Sequence, residues 1–389
     1  MPEQRRFVTQ SPENSETPLD QVRGWVTPNP LFFVRNHFEV PQIDAAKWRL
    51  RIEGCVEHAI SWSLDELMAL PERTVFATVE CAGNGRSFLE QRAPGVQWGA
   101  GAIGHAEWTG VPVKVLLERA KLKPETIEIL FEGADRGTEP DHPEPMPFAR
   151  SLPLEKALHP DTLLAYRMNG ELLEPIHGAP LRLFVPGWYG VASVKWLSRI
   201  AAIDQPFMGY FQTTKYTMKR PTPTGTETVI VGPMAVKSEI IRPKQGDTVG
   251  LGANRVVGLA WAGEEAIAEV AVSTDGGQTW TKVNLIGPQA PYSWTLWEYI
   301  WEVASPGRYS LLARATSTGG RVQPRTYDSL NLGYMIDFSR PLEVEIKRDT
   351  RSRAQSGDYD ALLWDMNAYA EENRRAPLDL DVQFGGSGI

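Results

Sequence analysis

Cysteine is scarce: Cys55 and Cys81 are the only two in 389 residues. One bridge would be no disulfide framework for a chain of this size, so both read as free thiols. No CxxC, HxxxH or CxxCH spacing occurs, which argues against a structural zinc site and against a covalently attached haem. Long apolar runs are missing too. No stretch approaches the roughly 18 residues of a membrane-spanning helix, and residues 1–30 hold no apolar signal core. With Met1 in place, the expectation is a cytoplasmic protein, or a periplasmic one if a leader has been removed. Positive charge is in deficit: 40 Lys and Arg face 48 Asp and Glu, a net charge of −8. That is the wrong balance for a general nucleic-acid binder, which neutralises phosphates with a basic surface. No internal repeat is visible.

What is present is apolar material and punctuation. At 43.3 kDa the chain exceeds what one hydrophobic core usually supports, so two domains are expected. Thirty Pro and 34 Gly cut it into short segments rich in β-branched and aromatic residues, which predicts many strands and few long helices. Val113, Leu116, Leu117 and Ala120 recur at helical spacing after Pro112. Shorter helical turns are expected at 63–70 and 153–159. Strands are expected at 49–53, 75–80, 127–132, 181–185 and 193–203. From 208 to 232 Pro and Thr dominate and the period is lost, which reads as a passage between domains. Beyond it, Ala268, Val270 and Val272 alternate before an Asp275-Gly276-Gly277 turn, a hairpin signal. Further strands at 295–302, 308–316 and 342–347 suggest a sandwich. Residues 358–375 read as an amphipathic helix in a tail.

Cys81 stands where a strand is expected to end, followed by Ala82, Gly83 and Gly85. So bare a backbone suits close approach of a large ligand, and Arg86 is placed to lower the thiol pKa. A buried cysteine beside a glycine turn is often only a core residue. As a nucleophile it would need a base, for which His177 is available on paper. As a metal ligand it would stand alone, which suits a metal whose other ligands come from a cofactor.

Several segments together carry a resemblance: FFVRNHF at 32–38, ECAGNGRS at 80–87, GAIGHAEWTGVPVKVLL at 101–117, FEGADRG at 131–137, SLPLEKAL at 151–158, LAYRMNGELL at 164–173 and HGAPLRLFVPGWYGVASVKWL at 177–197. From about residue 25 to 347 the chain resembles the sulfite oxidase family of molybdopterin-dependent oxidoreductases, in its bacterial form without a haem domain. The resemblance implies an α+β chain: a 1–24 extension, a mixed α/β molybdopterin domain at 25–225, an immunoglobulin-like dimerisation sandwich at 226–348 and a tail at 349–389. It implies that Cys81 ligates molybdenum and that Val34, Arg35, Asn36 and His37 border the cofactor. Asp135, His177, Arg182, Ser193, Val194 and Lys195 would hold the pterin and its phosphate. Arg35, Arg86, Trp98 and Tyr166 would face the substrate.

The expected reaction is two-electron oxidation of sulfite to sulfate by oxygen-atom transfer at molybdenum. Two arginines can bind a small oxyanion despite the negative net charge, because local field outweighs net charge at contact range. No haem is expected, so electrons leave to a separate acceptor such as a cytochrome or oxygen, and a homodimer is the favoured assembly. One departure stands out: Gly85-Arg86 replaces the two consecutive arginines of animal sulfite oxidases. A molybdenum reductase of nitrate or an S-oxide is therefore the first rival. The rivals of other classes are a non-catalytic β-sandwich binding protein and a cysteine-nucleophile hydrolase.

Overall fold

The computed structural model describes residues 4–22 and 24–348. The tail 349–389, with its expected helix, lies outside the described residues. In the first domain a sheet runs in the order Glu171–Leu172, Leu163–Met168, Ile103–Pro112, Arg73–Glu80, with Arg182–Phe184 also on Leu163–Met168. A second sheet runs Ile60–Trp62, Leu50–Gly54, Leu197–Ile203, Glu128–Glu139, His142–Pro153. Its pairs are antiparallel except Leu50–Gly54 with Leu197–Ile203.

Among the described residues helices are few and short, as the composition implied. Leu64–Met68 starts on a capping box, Ser63 and Glu66 satisfying each other's backbone N–H groups. Val113–Ala120 follows Pro112 and buries Val113, Leu116, Leu117 and Ala120 completely. That stripe is the apolar face that the spacing indicated.

The second domain is a sandwich. Lys237–Arg242, Gly252–Trp261, Thr295–Val303 and Asn284–Ile286 form one sheet; Thr248–Gly250, Leu342–Lys347, Gly307–Ser317, Ile267–Ser273 and Thr281–Lys282 form the other. Val256, Trp297, Leu311 and Val344 fill the space between them. The two domains also share a core: Trp261, Trp294 and Leu296 pack in one cluster with Leu116, Tyr189 and Val231. Trp25 and Trp294 exchange hydrogen bonds, each indole donating to the other's backbone carbonyl, at 3.3 and 2.9 Å.

The passage 208–232, read as lying between the domains, carries the helix Tyr210–Thr213 and the hairpin Thr217–Thr222 with Gly225–Ile230. Two expectations are corrected. The strand expected from 193 begins only at Leu197, because Gly190–Ala192 is a tight helical turn and Trp196 has a left-handed φ of 50°. The strand expected at 127–132 extends to Glu139 and pairs with the unforeseen His142–Pro153. No helix among the described residues is long and apolar enough to cross a membrane.

Candidate active site

Two clefts meet at Cys81. The inner one has a volume of about 690 Å3 with its open mouth included, and the outer one about 980 Å3. Arg35, His37, Cys81 and Tyr216 line both.

The strand Arg73–Glu80 delivers Cys81 to this junction. The Cys81 N–H donates to the Ala102 carbonyl at 2.9 Å, and its carbonyl accepts from the Asn84 N–H at 2.9 Å. Burial pushes the thiol pKa up, against the pull of Arg35 and Arg86. Arg86 does pull the thiol pKa down, as expected, but desolvation outweighs the pull of both guanidinium charges. Nor does His177 serve as base: its Nε2 lies 3.3 Å from the Asn29 carbonyl, and burial, helped by Lys195 and Arg182, takes its pKa to about 3. The glycines also make room for the chain itself. A Cβ on Gly83 would strike the Arg86 guanidinium, and Gly85 holds φ at +94° against Ile336.

The inner cleft gathers buried cations. Burial pulls Arg182 down to about 9. Burial and then Arg182 depress Lys195 well below the usual lysine range. Asp135, facing them, is pushed up to about 7 by burial. Lys195 Nζ donates to the Asn36 side-chain carbonyl and, at 3.1 Å, to the Ile176 carbonyl. Three buried polar atoms here have no partner among the described residues: Asn36 Nδ2, Asp135 Oδ1 and Arg182 Nε. An unmade buried hydrogen bond costs about 1–3 kcal/mol, so these atoms mark a place for a ligand. Phe32, Phe33, Phe148 and Trp196 supply flat apolar walls. A hydrogen-bonding heterocycle carrying a phosphate fits this donor set, and a phosphate would relieve the crowding of Arg182 and Lys195. Among the described residues no cluster of His, Cys, Asp or Glu forms a self-sufficient metal site.

Of the cofactor residues expected from the sequence, all but Val194 line this cleft. Val34 and Arg35 form a two-residue strand paired with Ser15 and Asn14. Ser193 lines the wall while its Oγ accepts from the Val185 N–H at 3.1 Å. Val194 is fully buried in the core instead, its carbonyl accepting from the Leu183 N–H at 2.8 Å.

The outer cleft holds Arg86 and Trp98. Arg86 donates to the Gly333 carbonyl at 3.0 Å and the Val96 carbonyl at 2.9 Å, and its guanidinium lies 5.3 Å from the Tyr334 ring centroid. Arg35 donates to Asn14 Oδ1 at 3.2 Å and to the Asn36 carbonyl. Tyr166 is not brought here. Its hydroxyl donates to Glu72 at 2.8 Å, and its ring joins Leu164 in the main core, while Leu163, Ala165 and Met168 pack in the layer that contains Cys81. Alternation along the strand turns Tyr166 away from the clefts.

Tyr216, which sequence reasoning missed, stands where Tyr166 was expected. Its hydroxyl lies 2.7 Å from His37 Nε2. Burial raises its pKa to about 12 against Arg35, so it is a neutral donor at pH 7. The φ of 55° is an unusual conformation for a tyrosine, of the kind that collects at functional sites. His37 is held between Phe148 and Phe211, at 4.5 and 4.6 Å between ring centroids. Burial, then Arg35, keeps the His37 pKa well below the usual range.

A deep cleft with cations and orphaned polar atoms, a single thiol at its throat and a second domain packed behind define a two-domain protein built to hold a cofactor. The comparisons agree. Residues 37–211 match the oxidoreductase molybdopterin binding domain and 228–338 the Mo-co oxidoreductase dimerisation domain. Sulfite oxidase of Gallus gallus is 35% identical over 340 residues, covering 82% of this chain and 72% of that protein. Mitochondrial sulfite oxidase of Homo sapiens is 35% identical over 338 residues, covering 82% of this chain and 61% of the relative, so the chain spans about six tenths of its length. NADH nitrate reductase of Solanum lycopersicum is 30% identical, over 82% of this chain and 38% of the relative. Among solved structures, the sulfane dehydrogenase SoxCD of Paracoccus pantotrophus superposes with a TM-score of 0.77 at 31% identity, covering 88% of each chain. The chain belongs to the sulfite oxidase family and is a sulfite oxidase-like molybdoenzyme.

Proposed function

We propose that the protein oxidises sulfite: sulfite and water give sulfate, two protons and two electrons, the electrons passing to a separate acceptor. The observation that carries this is the meeting of the two clefts at Cys81, one fitted to a phosphorylated pterin and the other edged by Arg35 and Arg86. Cys81 would ligate molybdenum, with Arg182, Lys195, Asn36, Asp135, His177 and Ser193 holding the pterin. Once bound, that group supplies the oxygen-atom and two-electron chemistry.

The chain's own residues bind and orient. Arg35 and Arg86 are held by backbone and side-chain acceptors, so their remaining N–H groups would meet a substrate oxyanion with little further ordering. Tyr216, kept neutral, donates a hydrogen bond to a substrate oxygen, and Trp98 excludes water. The sandwich domain supports a homodimer.

A second reading, a larger substrate bearing sulfane sulfur, is favoured by the outer cleft's size and by Glu139, whose charge acts on Arg35 there. The test is molybdenum per chain, followed by turnover of sulfite, thiosulfate and nitrate with oxidised and reduced dyes. Near-stoichiometric molybdenum, lost in Cys81→Ser, with sulfite the preferred substrate, is expected. A chain without molybdenum, made where a known molybdoenzyme loads fully, would overturn the enzyme reading and leave the non-catalytic binding protein.

A further inference from the structure

The carboxylate of Glu80, one residue before Cys81, is 2% exposed and fully engaged. Oε1 accepts from Asn84 Nδ2 at 3.0 Å and from Lys237 Nζ at 3.2 Å, and Oε2 accepts from Trp261 Nε1 at 2.9 Å. Asn84 belongs to the Cys81 turn. Lys237 and Trp261 come from the second domain, on the paired strands Lys237–Arg242 and Gly252–Trp261.

The network closes around the cysteine. Asn84 Oδ1 accepts from the Ala102 N–H at 3.0 Å, and the Ala102 carbonyl accepts from the Cys81 N–H at 2.9 Å. A second tether comes from the same domain, since the Met335 N–H donates to the Ala82 carbonyl at 2.8 Å. The backbone that carries the sulfur is therefore fixed on both sides by second-domain atoms.

Adhesion alone does not account for this arrangement. A buried ion pair adds little net stability, because desolvation offsets attraction, and apolar replacements are often at least as stable. Apolar packing already joins the domains close by, through Trp25, Trp294 and Leu296. What three directional donors on one carboxylate add is geometry. A thiolate ligand displaced by a few tenths of an ångström changes its overlap with the metal, and partners of this kind tune a site from outside it.

We propose that Lys237 and Trp261 are positioning residues for Cys81, acting through Glu80 and Asn84, so that the second domain is part of the redox site as well as an assembly surface. This rests on the reading of Cys81 as the molybdenum ligand.

The test uses full-length, cofactor-loaded protein. Lys237→Met removes one donor at similar volume, Trp261→Phe removes the indole donor while keeping an aromatic ring, and Lys237→Arg keeps the charge. Lys156→Met is the control. Lys156 is also buried and joins the domains, donating to Glu264 at 2.5 Å and the Pro186 carbonyl at 3.1 Å, yet it lines neither cleft.

Lys237→Met and Trp261→Phe are expected to retain most of their molybdenum but to shift the Mo(V) electron paramagnetic resonance signal and the midpoint potential. Their kcat should fall about tenfold with KM within about twofold, Lys237→Arg should recover most of the loss, and Lys156→Met should keep the parent signal. Unchanged signals in both variants, or an equal shift in Lys156→Met, would overturn the proposal while leaving the cysteine reading intact. Molybdenum-free wild-type protein would overturn both.

Discussion

At the scale of single residues, two tyrosines separate the chemistry from the scaffold. Tyr216 lines both clefts beside Arg35 and Cys81, whereas Tyr166 is tied to Glu72 in the core. Tyr216→Phe removes the donor proposed to act on the substrate, so kcat/KM should fall about 10- to 100-fold at unchanged molybdenum content, measured by steady-state kinetics. Tyr166→Phe should leave kinetics unchanged and lower stability by about 1 kcal/mol, the usual net value of one hydrogen bond, measured by denaturant unfolding. Arg86→Gln is expected to raise the KM for sulfite at least tenfold, and Arg86→Lys to recover little of it. A lysine lacks the planar fork that meets the Gly333 and Val96 carbonyls while still facing the substrate. An unchanged KM in Arg86→Gln would remove Arg86 from the binding role.

At the scale of elements, the Ile103–Pro112 strand shows both what the sequence displays and what it hides. The strand is buried at nearly every position, IGHAEWTGVP, so it lacks the alternation that marks a half-exposed strand and escaped notice. The helix that follows was legible, because Val113, Leu116, Leu117 and Ala120 mark one face. The site divides in the same way. Cys81, Arg182 and Lys195 stand in motifs that a resemblance identifies, whereas Tyr216 lies in a stretch whose lost period read as a linker. Only the chain's return beside His37 brings it to the site, and no local pattern encodes that return. Tyr166 was misassigned because strand parity, shifted by a bulge between Ala165 and Arg167, decides which layer it enters. The pairing of Ile103–Pro112 with Leu163–Met168 also gives a sharp prediction. A Cβ on Gly110 would overlap the Leu164 carbonyl and crowd the Ala165 Cα, both of them backbone atoms that cannot rotate away. Gly110→Ala should therefore cost on the order of 3 kcal/mol or more, seen as a lowered Tm and poor recovery of folded protein.

At the scale of the whole molecule, the domains are distinct in architecture but joined in packing. A core that runs from Leu116 and Tyr189 to Trp261 and Trp294 means that neither domain can unfold without exposing the other's apolar surface. Calorimetry at pH 7 should accordingly show one main transition. His105 lies at this junction, its ring 4.6 Å from Trp25 and 5.5 Å from Trp294, centroid to centroid, and it is wholly buried. Burial takes its pKa from 6.5 to about 3. Above pH 6.5 the imidazole is neutral in both the folded and the unfolded chain, and its titration has no effect on stability. As pH falls from 6.5 toward 3 the unfolded chain takes up a proton that the folded one refuses, so stability is lost across that window. At about 1.4 kcal/mol per pH unit, the loss reaches roughly 2 kcal/mol by pH 5. In cofactor-free protein His177 adds a parallel loss, its pKa being depressed to about 3 as well. Replacing His105 by Gln should flatten the dependence of stability on pH between 7 and 5 by about its own 2 kcal/mol, whatever it does to stability at pH 7. The same slope in parent and variant would mean that other groups govern acid unfolding and that the tryptophan junction tolerates a charged imidazole.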